Sequence, residues 1–437
     1  MTPGARVQAL IELTEDVGRG GAADAAASSY FRARRYIGSK DRGWIADRLY
    51  AGLRRRARVD WWVNRVLERP AEAPPPASRH RVLADLVLTG DPAERVAGWF
   101  DGGPYRPEPP SRAERTLLAA LDGKPLDHPD QPDWVRSEVP AWVQDLAPEL
   151  FSDPEELAAL ATGAPLDLRV NPLVGTREDA LAQLAMAGIV AEATNLSPLG
   201  LRVAGRPPLG REPAFTSGLV EVQDEGSQLV ALLTDAQPGH AVIDFCAGAG
   251  GKTLALAASM QNRGRLIACD ISAARLERAV VRLRRAGVHN VERRALDGES
   301  AGWLKRQAGR FDRVLVDAPC SGTGTWRRNP DMKWKLGPDD VAELSTVQAS
   351  ILARAAALVR PGGRLVYATC SLLAAENQAQ VEGFLASHSA FRLLPMGEVW
   401  QATIGTSPPG DGPYLSLSPG RHGTDGFFTA VMERAAG

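Results

Sequence analysis

Hydrophobic positions recur at three- and four-residue steps through the N-terminal part of the chain. ARVQALIELTEDV, DRGWIADRLYAGLRRR, RVDWWVNRVL and HRVLADLVL each lay apolar residues along one helical face, which predicts helices. Proline-rich breaks (PAEAPPPAS, PYRPEPP, then PLDHPDQPDW) punctuate this region and close it, so residues 1–140 are expected to form one helical domain. From about residue 165 the pattern shifts. LDLRVNPL alternates like a strand, TREDALAQLAMAG reads as a helix ending at glycine, and IVAEAT and LGLRVAG read as short strands. Residues 141–232 are therefore expected to form a small α+β unit.

After Gln237-Pro238-Gly239 the text alternates strongly. AVIDFC, RLIACD, RVLVDAP and GRLVYATC are short, nearly continuous apolar runs with helical text between them, the mark of a buried parallel sheet. FFTAVMERA reads as one more strand. Residues 233–437 are thus expected to form an α/β domain with a doubly wound sheet.

Composition narrows the class. Of 437 residues, 44% are hydrophobic and 24% charged, as in a soluble globular protein. No apolar run is long enough to span a bilayer, and the N-terminus lacks a signal pattern, so no membrane role and a cytoplasmic location are expected. The four cysteines, Cys246, Cys269, Cys320 and Cys370, show no CxxC spacing, and the six histidines are scattered, so neither zinc nor structural disulfides nor any other metal is expected. Net charge is −1, yet Tyr30 to Arg65 is rich in arginine with aromatics interleaved, a pattern able to neutralise phosphates and stack on bases. Tyr36, Trp44, Tyr50, Trp61 and Trp62 are expected in the core, by ordinary burial preference. The arginines fit an RNA-binding stripe or a solvated helix face equally well.

The chemistry lies in the last domain. VIDFCAGAGGKT is a strand, a glycine-rich turn and a helix start, suited to close approach of a ligand. It fails the Walker pattern at Cys246 and the dinucleotide pattern at Thr253. Asp270, Asp297 and Asp317 close the next three strand units, so three acids would line one crevice. Any one of them alone reads more simply as a loop acid or helix cap. An adenosine held through its ribose without an obligatory phosphate points to S-adenosylmethionine. Asp317-Ala318-Pro319-Cys320 places a thiol where enzymes that methylate base amines often carry an aromatic. C5 of a pyrimidine is a poor nucleophile until something adds to C6, and a thiolate does this well because it also leaves readily. A carboxyl near N3 and N4 assists the addition, a role open to Asp317. Both Cys320 and Cys370 end strand-like runs, and residue chemistry favours Cys320 as the attacking thiol. Buried strand-end cysteines or a redox pair are the plainer alternatives.

CAGAGGKT, CDISAARL, VDAPCSGTGTWRRNPDMKW, YATCSLLAAEN and GTDGFF, in this order and preceded by RVNPL and VQDEGSQL, closely resemble the NOP2/Sun (RsmB/NOP) family of RNA cytosine-5 methyltransferases. The likeness runs from the small α+β unit to the C-terminus. RRYIGSKDRGWIADRLYAGLRR looks like the NusB-type RNA-binding domain fused to bacterial 16S rRNA enzymes of this family. The resemblance implies a class I, Rossmann-like methyltransferase domain, S-adenosylmethionine as cofactor and RNA as substrate. It favours 16S rRNA over tRNA, and a monomer is expected. It moves the nucleophile to Cys370, gives Cys320 the resolution of the covalent adduct and leaves Asp317 on the base. Cofactor contacts fall on Cys246, Ala247, Gly248, Ala249, Gly250, Gly251 and Lys252, and on Asp270, Asp297 and Asp317. The family's turn reads C-A-A-P-G-G-K-T. Gly248-Ala249 replaces its Ala-Pro pair, which predicts a less rigid turn. Arg327, Arg328, Lys333, Trp334 and Lys335 read either as an RNA guide or as a solvated basic loop. A non-catalytic RNA-binding assembly factor remains the alternative of another class, and retention of Asp317, Cys320 and Cys370 together speaks against it.

Overall fold

The computed structural model describes residues 1–70, 73–298 and 300–436. Ala71 and Glu72, inside the first proline-rich break, lie outside them, as do Glu299 and Gly437. Contacts divide the chain into two units, one of Met1–Thr162 with Trp326–Gly337, the other of Gly163–Thr325 with Pro338–Gly437.

The first unit is helical: α1 (Pro3–Gly18), α2 (Ala23–Ala33), α3 (Ser39–Arg54), α4 (Arg56–Val66), α5 (Ser78–Leu88), α6 (Ala93–Gly98) and α7 (Arg112–Leu121). The apolar stripes become its core, where Val7, Leu10 and Leu13 of α1 meet Ile45, Leu49, Val59, Trp62, Leu83 and Leu86. Local chemistry sets the ends. Thr2 accepts the Ala5 amide at 3.2 Å with Pro3 in the first turn of α1, and Ser111 and Glu114 form a capping box on α7. Trp62 is buried, and Trp44, Tyr50 and Trp61 pack partly buried against the same core. Tyr36 departs from expectation. It is 74% exposed in the turn between α2 and α3, where no helix face carries it inward.

The basic segment after the predicted catalytic turn also departs from expectation, for it is built into this helical unit. Lys333 is 1% exposed, and its ammonium donates to the carbonyls of Glu138 (3.1 Å) and Leu160 (3.3 Å). Burial lowers its pKa to about 8. Arg327 is buried, and Lys335 is held by Asp331 at 2.6 Å. Neither a solvated loop nor an RNA guide describes Lys333 and Arg327, because both side chains are buried in the fold. Glu138 is the hub. Fully buried, its carboxylate accepts the amides of Ala57 (2.8 Å) and Arg58 (3.1 Å) at the start of α4 and pairs with Arg58 Nε at 3.0 Å. Glu138→Ala leaves the Ala57 and Arg58 amides unpartnered and removes the buried carboxylate beside Arg58 and Lys333, and should cost about 3–5 kcal/mol. Glu138→Gln should cost clearly less, and calorimetric unfolding of the full chain checks both.

The second unit carries two sheets. The small one is antiparallel in the order β2-β3-β1-β4, from β1 (Leu166–Val170), β2 (Ala191–Ala193), β3 (Gly200–Val203) and β4 (Val220–Val222). The large one contains β5 (Ala241–Asp244), β6 (Arg265–Asp270), β7 (Val291–Ala295), β8 (Phe311–Asp317), β9 (Val359–Thr369), β10 (Phe391–Leu393), β11 (Leu415–Leu417) and β12 (Phe427–Arg434). Its order is β10-β12-β9-β8-β5-β6-β7, with β11 beside β12. β5 to β9 run parallel, and β12 returns antiparallel against β9. The central runs are covered on both faces, as their unbroken hydrophobicity requires: Val242, Ile243, Leu266, Ile267, Val314, Leu315, Leu365 and Val366 are all fully buried. β7 (VERRA) gave no apolar run because it is the edge strand, with Glu292 and Arg293 exposed. Strand order reverses between β5 and β8, which opens a crevice at their C-terminal ends. Among the described residues no helix is long and apolar enough to cross a membrane, and no group of side chains is able to hold a metal.

Candidate active site

The crevice receives a residue from the end of each central strand. β5 ends in Asp244, whose carboxylate accepts the Thr253 hydroxyl at 2.7 Å; its other oxygen is buried without a partner. The turn then passes through Gly248 (φ +55°) and Gly250 (φ +81°), both left-handed, so the two glycines are required by the backbone path. The helix Gly251–Ser259 starts immediately after it. β6 ends in Asp270, which accepts the Gly248 amide at 2.9 Å and the Ser272 amide at 2.8 Å. Asp317, ending β8, pairs with the buried ammonium of Lys252 at 2.7 Å. Burial opposes the charge on Lys252, but Asp317 and the neighbouring Cys370 outweigh it and raise its pKa. The Phe427 ring lies 5.1 Å from that ammonium. Asp297 stands apart: it is exposed, and its carboxylate accepts the Ser300 hydroxyl at 2.8 Å ahead of the helix Ser300–Arg306.

The sulfurs of Cys320 and Cys370 lie 3.5 Å apart as free thiols. The hydrogen bond to Cys370, reinforced by burial, raises the Cys320 pKa well above the ordinary thiol range, so Cys320 stays neutral at pH 7. The other two cysteines are out of play. Burial pushes Cys269 up to about 12, and Cys246, also raised by burial, contributes mainly backbone to the turn.

Glu376 holds the two thiol loops in register. Fully buried, it accepts the Ser321 amide at 2.8 Å and the Ser321 hydroxyl from the first loop, and the Ser371 hydroxyl at 2.5 Å from the second. Gln348 bridges Glu376 Oε1 (3.0 Å) and the Pro319 carbonyl (2.9 Å). The Gly324 amide donates to Cys370 O at 3.0 Å, and the Gly426 amide donates to Gly324 O at 2.9 Å. A Cβ on Gly324 would lie 2.3 Å from Gly426 O, so glycine is needed where these segments cross.

The description of the 16S rRNA methyltransferase RsmB/F family matches residues 231–433, and that of the RsmF/B-like ferredoxin-like domain matches residues 140–209. A probable ribosomal RNA small subunit methyltransferase B of Synechocystis is 32% identical over 419 residues, covering 90% of this chain and 92% of its own. The chain belongs to the RsmB/F family. A ribosomal RNA small subunit methyltransferase B of Pseudomonas syringae pv. tomato is 33% identical, covering 91% of this chain and 90% of its own. The crystal structure of PH0851 shares the fold, with a TM-score of 0.81 at 24% identity over 99% of both chains.

For an RsmB/F protein, the site contains two acids that reading the motifs did not single out. Glu376 lies in a quoted motif, but a lone loop acid carries no sign of burial. Asp244 reads as a strand end, and only its unpartnered oxygen marks it.

Two outcomes are expected. Glu376→Ala should lower methyl transfer by about a hundredfold or more, because both thiol loops lose their common anchor, while cofactor affinity stays within about threefold. Calorimetry beside turnover separates the two. Burial raises Asp244 to about 7, against the Thr253 hydrogen bond and with help from the Asp317 charge. Between the ordinary carboxyl range and pH 7 the native state therefore binds more protons than the unfolded chain, and stability falls as pH rises. The loss approaches roughly 4 kcal/mol by pH 8. Asp244→Asn keeps an acceptor for Thr253 and should flatten this slope in melting temperatures taken from pH 5 to 8.

Proposed function

We propose that the chain is an RNA cytosine-5 methyltransferase acting on 16S rRNA, with S-adenosylmethionine as methyl donor and Cys370 as nucleophile. The observation that carries this reading is the pair of strand-end thiols 3.5 Å apart beside the Lys252–Asp317 ion pair. The names of the relatives support the rRNA substrate.

The residues fit the cofactor. The left-handed turn at Gly248 leaves open space where a side chain would stand, Asp270 keeps lone pairs free for ribose hydroxyls beyond its two backbone bonds, and Asp244 offers an unpartnered buried oxygen. Ala247, Ala249, Gly250 and Gly251 supply backbone, and Asp297, exposed two residues after β7, follows the next strand end. Ile271, 81% exposed directly after Asp270, presents an apolar face for a planar base. When bound, S-adenosylmethionine supplies an electrophilic methyl group on a sulfonium centre.

Cys370 adds as thiolate to C6 of an unpaired or flipped cytosine. The electron pair of the C5–C6 double bond is displaced into the ring, and C5 becomes nucleophilic. Asp317, protonated by way of Lys252 2.7 Å away, donates to N3 and so takes up the negative charge that addition places on the ring, and the proton returns to the pair when the thiol leaves. Once C5 is methylated, a base removes its proton, the electrons of that C–H bond rebuild the double bond, and Cys370 leaves. Cys320, neutral and in contact with Cys370, serves this release. Attack is assigned to Cys370 by the family resemblance, and a neutral Cys320, a weak nucleophile, agrees with that assignment.

Cys370→Ala should abolish activity and form no covalent complex with RNA. Cys320→Ala should accumulate a protein–RNA adduct that survives denaturing electrophoresis. The opposite pattern would reverse the two roles. Bisulfite sequencing of rRNA and tRNA with and without the gene tests the substrate: loss of 5-methylcytosine is expected in 16S rRNA, and loss confined to tRNA would overturn that choice.

A further inference from the structure

The turn that departs from the family's Ala-Pro pair is held from behind. Arg282, in the helix Ala273–Arg285, donates to the Ala249 carbonyl at 2.7 Å. Arg169 of β1, 2% exposed, donates to the Gly251 carbonyl at 3.0 Å and to the Gln223 side chain. Glu221 of β4, the register partner of Arg169, pairs with Arg282 at 3.4 Å and with Arg285 at 2.5 Å. Asn171, just beyond β1, donates to the Gly218 carbonyl (3.0 Å) and to the Ala286 carbonyl at the end of the same helix (2.9 Å). Gly218 allows this approach, since a Cβ there would lie 2.0 Å from Arg285 O.

A turn with glycine and alanine where proline stands elsewhere has more conformations open to it, and ordering it on binding would weaken affinity. Hydrogen bonds from two guanidiniums, Arg282 to the Ala249 carbonyl and Arg169 to the Gly251 carbonyl, remove that freedom before the ligand arrives. We infer that Arg282 is a positioning residue for S-adenosylmethionine, and that the small antiparallel sheet, through Arg169 and Glu221, clamps the Gly248-Ala249 turn in place of the missing proline. The inference rests on the reading of this turn as the cofactor site.

Calorimetric titration of the full chain with S-adenosylmethionine, together with amide hydrogen exchange of residues 247–251 in the free protein, tests it. Arg282→Ala should weaken binding about tenfold and speed exchange in the turn. Arg285→Ala removes a Glu221 partner without touching the turn, and should bind within about twofold of the parent. The inference is overturned if Arg282→Ala binds like the parent, if its exchange in the turn is unchanged, or if Arg285→Ala weakens binding equally. A parent chain that fails to bind the cofactor would instead sink the assignment of the site.

Discussion

β8 and β9 run side by side and end level, Asp317 opposite Ala368, so the loops leaving them must turn within one small volume. Two loops forced together carry many amide and hydroxyl groups out of water, and each unmatched one would cost about 1–3 kcal/mol. Glu376 resolves the crowding. One carboxylate accepts the Ser321 amide, two serine hydroxyls and the Gln348 side chain, while its own backbone carbonyl accepts the Tyr367 hydroxyl at 2.7 Å. Thr369 and Asn377 close the remaining gaps, with Asn377 donating to Ser371 O at 2.8 Å. The thiol separation follows from this network, within which the sulfur–sulfur hydrogen bond forms.

The same crevice gathers charge of one sign. Asp244, Asp270 and Asp317 approach from three neighbouring strands, and Lys252 is the cation buried among them. Their repulsion is relieved in three ways. Asp270 spends its charge on two backbone amides, Asp317 on Lys252, and Asp244, the most deeply buried, is pushed toward its neutral form. The arrangement leaves Lys252 restrained on both sides, by Asp317 and by the ring of Phe427.

Much of this was legible in the letters. Unbroken apolar runs such as RVLVDAP mark strands covered on both faces, and acids at their ends mark the crevice. The edge strand β7 was not legible, because, half in water, it has no need of an apolar run. Partnerships across the chain were not legible either. Nothing in AAEN shows that its glutamate is buried beneath two loops, and nothing in LDLRV shows that Arg169 reaches the Gly251 carbonyl. Motif resemblance supplied the roles of the cysteines, where residue chemistry alone had favoured Cys320.

Basic residues show most plainly how charge in a sequence differs from charge on a surface. Arg55 pairs with Asp85, Arg58 with Glu138 and Asp127, and Arg81 with Asp60, while Lys333 is buried among carbonyls. A cation with a buried acid beside it has little left to offer a phosphate, because breaking that pair would strand the acid in a poor dielectric. Along the arginine-rich stretch, exposure survives at Arg32, Arg35 and Lys40, around the outward ring of Tyr36, and at Arg65, which pairs with Asp130. Around Tyr36, between the end of α2 and the start of α3, cations and an aromatic ring meet solvent together.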